Sequence, residues 1–445
     1  MKGYASYFKD KKITVLGLGL LGKRIECIKF FSECGAHILV TDLKSAKDLA
    51  PALKQLKPYK NITYRLGKHV LSDFENRDFI LKGQGTPLDS LYIKHAEKKG
   101  IPIEMDESLF LKLAPKDITV IGVTGTRGKT TTTMLIYHTL KKAGVKRVFL
   151  GGNIKGTAVL PLLKNIRSGD TLVLELSSWQ LQGFGDAKIS PQISVFTNFM
   201  KDHMNYYHDD ESLYFKDKSY IYTSQKKSDV CIVGESVYKK MAKKNIESKL
   251  TVVQERLFPT TWKIHIFGEH NILNASYAYA ALKAFGLNAT QIKYGFETFR
   301  GVEGRLEFIK NYKGISIYND TCATTPEALS AAITSFSKKH VVLIAGGNTK
   351  NLDLSHVSKD IEMCTSEVIL LPGTGTQELV SLFEKSKNPP RFVVAKNLKD
   401  AIKKALVFCT KGTVLLFSPG FTSFGMFKNE YDRGDQFNAV IKTLK

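Results

Sequence analysis

Residues Ile121 to Thr133 read IGVTGTRGKTTTT, and this stretch restricts the fold more tightly than any other in the chain. An apolar run turns at glycines and enters a helix-like segment. Strand, Gly-rich turn and helix in that order belong to a parallel α/β sheet, with the turn at the carboxyl end of the strand. Glycines let backbone N–H groups converge on a polyphosphate. Lys129 brings a mobile positive charge, and the Thr130 hydroxyl suits Mg2+. The spacing is not the common GxxxxGK, because the position five before Gly128 is Val123; it is a TGTxGKT variant. Gly125, Thr126, Arg127, Gly128, Lys129, Thr130 and Thr131 are therefore the expected contacts of a nucleoside triphosphate. A turn that merely joins a strand to a helix explains neither Lys129 nor Thr130.

The same alternation runs through all 445 residues. Apolar strand-like runs stand at Ile13–Leu16, His37–Thr41, Ile118–Thr124, Thr171–Leu176, Ile193–Asn198 and Val230–Val233. Others stand at Ile315–Tyr318, Val341–Ala345, Glu367–Leu371, Arg391–Ala395 and Thr413–Phe417. Helix-like segments such as Thr130–Ala143 and Thr325–Ser335 lie between them. This pattern predicts parallel sheets covered by helices. Boundaries near Pro115 and near Arg300–Gly304 divide the chain into three α/β units, 1–115, 116–300 and 301–445, each of ordinary domain size.

A second glycine motif, Gly17-Leu-Gly-Leu-Leu-Gly22, follows the strand Ile13–Leu16, and Asp42 ends the next strand. Alone it is a dinucleotide fingerprint, but a lone GxGxxG also marks tight strand–helix packing. NAD binding is an alternative there. In the central unit Glu175 closes the run Thr171–Leu176, and Asp202 and His203 follow Ile193–Asn198. Ligands gather at carboxyl ends of strands, and a hard cation on a triphosphate needs oxygen donors of the kind Glu175 offers. Taken singly, Glu175 reads as a helix cap and His203 as a structural histidine.

Composition excludes several classes. No apolar run is long enough to cross a bilayer, and the N-terminal MKGYASYFKDKK has no secretory pattern. The six cysteines are scattered without a close CxxC pair, so a reducing cytoplasm is expected. Lys+Arg number 65 against 42 Asp+Glu, a net +23 that favours anionic partners. The excess is spread along the chain without the aromatic interleaving of a single-strand binder, so no nucleic acid is expected.

At this point the chain resembles the Mur ligases of peptidoglycan synthesis, related to folylpolyglutamate synthetase. The resemblance rests on TGTRGKTTTT (124–133), GGNIKG (151–156), ELSSWQL (175–181), DH (202–203) and GEHNILNA (268–275). It continues through GRLE (304–307), NDTCAT (319–324), AGGNTK (345–350) and SPGFTSF (418–424). The N-terminal GLGLLG together with ELSSWQL looks most like the branch that adds D-glutamate to UDP-N-acetylmuramoyl-L-alanine. The implied fold is α/β in three domains: a Rossmann-like domain binding the UDP precursor, a central P-loop domain binding ATP, and a C-terminal Rossmann-like domain binding the amino acid. The implied reaction is ATP-dependent joining of a carboxylate to an amine through an acyl phosphate, in the cytoplasm, by a monomer.

The resemblance also implies roles. Lys129 and the backbone around Thr126–Gly128 would hold the β,γ-phosphates. Thr130 and Glu175 would bind one Mg2+, and His203 a second. Lys218 would carry a carbamate that helps hold that second ion; by itself it reads as one more surface lysine. Asn271, Asn274, Arg305 and Asp320 would meet the nucleoside, although the two asparagines equally suit helix capping and Arg305 an ion pair with Glu307. Gly17, Gly19, Leu20, Leu21 and Gly22 would take the diphosphate, Asp42 the uridine, and Gly83–Thr86 the opposite wall. Asn153 and His203 match positions touching the muramoyl-alanine part. Thr324, Lys350 and Ser423 would hold the D-glutamate carboxylates, with N-capping the plainer reading of Thr324 and Ser423.

The chain departs from the family pattern at four places. Arg127 stands where Asn or His is common, Gly304 where His precedes Arg-Leu-Glu, and Cys322 where NDxKAT has lysine. Glu430 aligns with an aromatic beside the amino acid, unless a one-residue slip puts Tyr431 there. A Mur-type ligase for another amino acid is therefore one alternative, and a P-loop nucleotide- or nucleic-acid-binding protein without ligase activity is another.

Overall fold

A computed structural model describes residues 3–19, 22–241, 246–266, 268–336, 340–350, 352–423 and 425–444. The chain is α/β and carries three sheets. The first holds β1 (Lys12–Leu16), β2 (His37–Asp42), β3 (Ile62–Leu66), β4 (Phe79–Leu81) and β5 (Ile103–Glu104), in the order β3-β2-β1-β4-β5. All its pairs are parallel, and the order reverses between β1 and β4, which opens a crevice beyond their carboxyl ends.

The second sheet holds β6 (Thr119–Thr124), β7 (Val148–Gly152), β8 (Thr171–Glu175), β9 (Ile193–Phe196), β10 (Val230–Gly234) and β11 (Lys249–Val253). Its order, β11-β10-β9-β6-β8-β7, puts β6 between β9 and β8. The turn after β6 is thereby flanked by the ends of the two strands that carry Glu175 and lead to His203. Strands β6, β8 and β9 are almost wholly buried, as expected of parallel strands covered on both faces.

The third sheet holds β12 (Glu307–Tyr312), β13 (Ile315–Asn319), β14 (Val341–Gly346), β15 (Glu367–Leu371), β16 (Phe392–Val394) and β17 (Val414–Phe417), in the order β12-β13-β17-β14-β15-β16. Only the β12–β13 pair is antiparallel in this sheet.

The chain divides into two compact units, Met1–Thr260 with Leu273–Gly295, and Thr261–Ile272 with Phe296–Lys445. The first two sheets lie in the first unit and share one apolar cluster, which runs from Phe8 and Phe31 through Phe110 and Leu160 to Phe196 and Val233. In the second unit the third sheet is packed on both faces, by Leu329, Ile361 and Phe383 on one side and Ala401, Phe437 and Ile441 on the other. No described helix is long and apolar enough to cross a membrane, and all six cysteines are free thiols.

Candidate active site

Strand β6 ends at Thr124, and the next residues leave the sheet in conformations that need glycine. Gly125 has φ +148°, and a Cβ there would lie 1.9 Å from Thr197 Oγ1; Gly128 has φ +81°, and a Cβ there would lie 2.1 Å from Asn274 Oδ1. The loop is fastened from behind. Arg127 N donates to Asn198 Oδ1 at 2.9 Å, Thr197 Oγ1 donates to Arg127 O at 2.6 Å, and Met200 N donates to Thr126 Oγ1 at 3.0 Å. Gly128 then opens the helix Lys129–Lys142, whose first turn carries Thr130 and the buried Thr131, Thr132 and Thr133. The N-terminus of this helix and its dipole favour an anion here. Lys129 Nζ curls back to donate to Gly125 O at 2.9 Å and Thr126 O at 3.1 Å, beside the space a phosphate would take.

Three predicted metal-site residues converge on this turn. Glu175, at the end of β8, is buried; its Oε1 accepts Asn153 Nδ2 at 3.1 Å, while Oε2 has no hydrogen-bond partner among the described residues. Glu175 is no helix cap. Ser177 caps the following helix, Ser178–Ala187, in a reciprocal box with Gln180. A buried carboxylate oxygen left unpartnered is costly in an apo protein and fits a cation ligand. Lys218, on the helix Glu211–Ser219, is 2% exposed and donates to Gly125 O at 2.9 Å, with its ammonium 4.8 Å from the Tyr214 ring centre. Burial, and then the Lys129 cation, push its pKa far below the ordinary lysine range, against Asp202, Asp217 and Glu175. The shift runs toward the neutral amine.

His203 stands in a left-handed conformation, φ +56°, with its N–H on Asp202 Oδ1 at 2.9 Å. Its ring packs on Trp179, centroids 4.7 Å apart. Burial lowers its pKa below the usual histidine value, Asp202 opposes this, and Lys218, Lys129 and Arg127 add to the lowering. A neutral imidazole is the ligating form. Asp202 is bound from the other side by Arg127, Nη1 to Oδ2 2.9 Å. The Trp179 platform escaped the sequence reading; its signal was an aromatic inside ELSSWQL with nothing to say which way it faces.

Other predicted positions fall as follows. Asn153, just beyond β7, gives Glu175 two bonds, its backbone N to Glu175 O at 2.7 Å as well as the side-chain contact. Asn274 packs over Gly128, and Thr132 Oγ1 donates to its carbonyl at 3.4 Å. Asn271 and Asn274 both lie inside the helix Glu269–Phe285, so neither caps it. Gly17, Gly19 and Gly22, all at positive φ, form the turn after β1; Leu20 and Leu21 lie outside the described residues. Asp42 fastens that turn, accepting Leu18 N at 2.8 Å and Lys44 N at 2.9 Å. Gly83–Thr86 forms a turn after β4, the neighbour of β1.

In the second unit Lys350 Nζ lies 3.4 Å from Thr324 Oγ1, and both line a shallow pocket with Pro326, Leu354, Gly420 and Phe421. Ser423 is buried two residues beyond Phe421 on the same loop. Capping does not account for either hydroxyl: Thr325 caps Pro326–Thr334, and Asn429 caps Glu430–Lys442. Asp320 is buried, accepting Ser418 Oγ at 2.7 Å and Leu306 N at 3.0 Å, and burial pushes its pKa up to about 7. Arg305 is exposed beside it, and Glu307 accepts Gly304 N at 2.9 Å. Arg433 was not among the residues expected from the sequence. It is 1% exposed and joins two loops of the pocket, donating to Thr321 O at 2.8 Å, Thr321 Oγ1 at 3.2 Å and Phe421 O at 3.1 Å.

Comparison with known proteins gives the family. The Mur ligase middle domain matches residues 123–256, and the Mur ligase glutamate ligase domain matches residues 304–421. The UDP-N-acetylmuramoylalanine--D-glutamate ligase of Borreliella burgdorferi (strain ZS7) is 34% identical over 462 residues, covering 98% of both chains. The protein of the same name from Roseiflexus sp. (strain RS-1) is 31% identical over 475 residues, covering 98% of this chain and 99% of its own. The solved UDP-N-acetylmuramate-alanine ligase of Thermotoga maritima shares the fold, with a TM-score of 0.62 at 18% identity over 98% of this chain and 100% of that one. With two family models and full-length relatives in agreement, the chain belongs to the Mur ligase family of ATP-dependent acid–amino-acid ligases.

Proposed function

We propose that this chain joins D-glutamate to UDP-N-acetylmuramoyl-L-alanine with cleavage of ATP, a step of peptidoglycan synthesis. Its 30–34% identical full-length relatives carry that name. The observation that carries the chemistry is Glu175, a buried carboxylate with one oxygen unpartnered at the strand end beside the P-loop. In this reading an oxygen of the alanine carboxylate attacks the γ-phosphorus, the bond to ADP breaks, and an acyl phosphate forms. The D-glutamate nitrogen then attacks the acyl carbon, phosphate leaves from the tetrahedral intermediate, and the nitrogen gives up a proton. Transfer between two anions asks for charge screening and alignment rather than covalent help from the protein.

The chain's own groups suit that task. Lys129 exchanges the Gly125 and Thr126 carbonyls for the β,γ-phosphates, joined by the N–H groups of the loop. Thr130 and Glu175 would hold one Mg2+, and His203 with Lys218 a second; such ions screen the carboxylate from the triphosphate. The orphaned Glu175 oxygen and the neutral His203 ring fit that donor set. Lys218 would serve as a carbamate, its amine adding to CO2 to give N–COO− and a released proton, for which the neutral amine favoured by burial is the reactive form.

The proposed division of labour is residues 1–115 for the UDP end, 116–300 for ATP and 301–445 for the amino acid. Asn271, Asn274, Arg305 and Asp320 would serve the nucleoside, and Lys350, Thr324 and Ser423 the D-glutamate carboxylates. The substrates are soluble and every proposed site residue lies on one chain, so a cytoplasmic monomer suffices. Glu430 supports a second reading, a ligase for a less acidic amino acid, because its charge acts on Cys322 and Arg433 near the pocket loops. Phosphate release with UDP-N-acetylmuramoyl-L-alanine, ATP and a panel of D- and L-amino acids tests both. D-Glutamate should be preferred. Turnover with D-lysine and none with D-glutamate would transfer the assignment to the second reading, and no release with any amino acid would refute ligation.

A further inference from the structure

One buried charged group is used by none of the chemistry above. Lys82, the last residue before the Gly83–Thr86 turn, is 1% exposed, yet among the described residues it reaches no carboxylate directly. Its Nζ donates to Gln182 Oε1 at 3.1 Å, and Gln182 Nε2 donates to Asp217 Oδ2 at 2.8 Å. The Gln182 amide can satisfy a cation on one side and an anion on the other in only one orientation, so the three side chains form a directional bridge. Tyr207 OH also donates to Asp217 Oδ2, at 3.0 Å. Desolvation lowers the Lys82 pKa to about 8, with Asp217 the leading opposing influence, so the bridge couples two charges that are both costly to bury.

Both ends of this bridge are informative. Lys82 stands at the crevice where the first sheet reverses order, opposite the Gly17–Gly22 turn, and Arg24 from the helix after that turn donates to Lys82 O at 3.1 Å. Tyr206 OH, a donor to Thr86 O at 3.5 Å, also receives Gln182 Nε2 at 3.2 Å. Asp217 is the residue before Lys218 on the helix Glu211–Ser219. That helix presents Tyr214 and Lys218, one turn apart, to Thr126 and Gly125 of the P-loop, and Asp217 to Gln182. It is held on one side by the nucleotide loop and on the other by a bridge from the precursor crevice.

We propose that Lys82, Gln182 and Asp217 are positioning residues that tie the crevice beside Gly83–Thr86 to the placement of Lys218 over the P-loop, so that filling the crevice aligns the metal-site helix. The inference rests on the ligase reading above. It assigns to this bridge the coupling between precursor binding and nucleotide binding, a property that contact with either ligand alone does not provide.

The test is a double-mutant cycle in the full chain with Lys82→Met and Asp217→Asn, read by steady-state ligation and by binding of a non-hydrolysable ATP analogue with and without UDP-N-acetylmuramoyl-L-alanine. Each single variant should lower kcat about tenfold or more with KM for ATP within about twofold, and the double variant should be no worse than the poorer single one. In the wild type the precursor should change the analogue's affinity; in either variant that change should vanish. Independent, multiplying losses in the double variant, or coupling retained in the singles, would overturn the proposal. If Lys82→Met melts early, Tyr207→Phe removes one donor to Asp217, together with the hydroxyl's contact to Ser178, and keeps the ring. A reduced kcat at unchanged KM supports the bridge, and an unchanged kcat with intact coupling overturns it. A wild type inert toward every amino acid overturns the ligase reading and the bridge together, whereas an active wild type with indifferent variants overturns the bridge alone.

Discussion

Replacing Asn153 with alanine separates two roles that the sequence and the structure give this residue. By family resemblance Asn153 touches the muramoyl-alanine part of the precursor. In the structure its side chain makes the one hydrogen bond that the Glu175 carboxylate receives among the described residues, at 3.1 Å, leaving Oε2 for a cation. Asn153→Ala strips that support. A hydrogen bond to a charged group contributes about 1.5–3 kcal/mol, and about 1.4 kcal/mol is a factor of ten, so Mg2+ binding should weaken by roughly 10–150-fold. Losses of outer partners of metal ligands fall in the same range, about 10–100-fold. The assay is a Mg2+ titration of phosphate release at saturating ATP and precursor. The half-saturating Mg2+ concentration should rise by that factor, much of the rate should return at high Mg2+, and KM for the precursor should stay within about twofold. A raised precursor KM with an unmoved Mg2+ midpoint would refute the carboxylate-support argument and restore the substrate contact.

Lys129→Ala should abolish ATP-dependent turnover while the melting curve stays close to wild type, because Lys129 Nζ donates to two carbonyls of its own loop rather than into the apolar core; near-normal turnover would remove the phosphate role. Lys218→Ala should lose most activity and regain part of it with added formate, which supplies the missing anion. An active unrescued variant would exclude the carbamate. Lys350→Ala should raise KM for D-glutamate about tenfold or more and leave KM for ATP nearly unchanged, as the loss of one charge-assisted hydrogen bond requires. Equal effects on both would take Lys350 out of the amino-acid pocket.

With the exception of the edge strand β16, the strands that could be read from the sequence lie inside their sheets. All the strands marked as apolar runs are present. Six strands were not marked, β3, β4, β5, β7, β11 and β12, and five of them are sheet edges. An edge strand faces water, so β3 reads ITYRL and β12 reads EFIKNY, with polar residues breaking the apolar run. The exception, β4, is buried but only three residues long, too short for a periodic signal. The site follows the same division. The glycine turn and the residues at strand ends are local patterns, whereas the Lys82–Gln182 contact joins positions 100 residues apart and leaves no local trace. Arg433 did leave one: it shares a helix stripe with Phe437 and Ile441 at spacings of four, where a surface arginine would not stand. Thr324 was displaced as a cap by its neighbour Thr325, a one-residue distinction that backbone geometry decides and composition does not.

The helix proposed to receive the triphosphate starts at Lys129 and continues with four consecutive threonines, Thr130 to Thr133. Each is a poorer helix former than alanine by about 0.6 kcal/mol, so this first turn is roughly 2 kcal/mol less favourable than an alanine start. It is wound nonetheless, because Thr131, Thr132 and Thr133 are packed into the protein. The anion receptor is therefore set by the surrounding architecture before any nucleotide arrives, and its stiff branched side chains have few rotamers left to lose. Calorimetry should register this as nucleotide association with a small conformational penalty and a heat-capacity change no larger than the buried ligand surface explains. Amide exchange in the first turn should already be slow in the free protein.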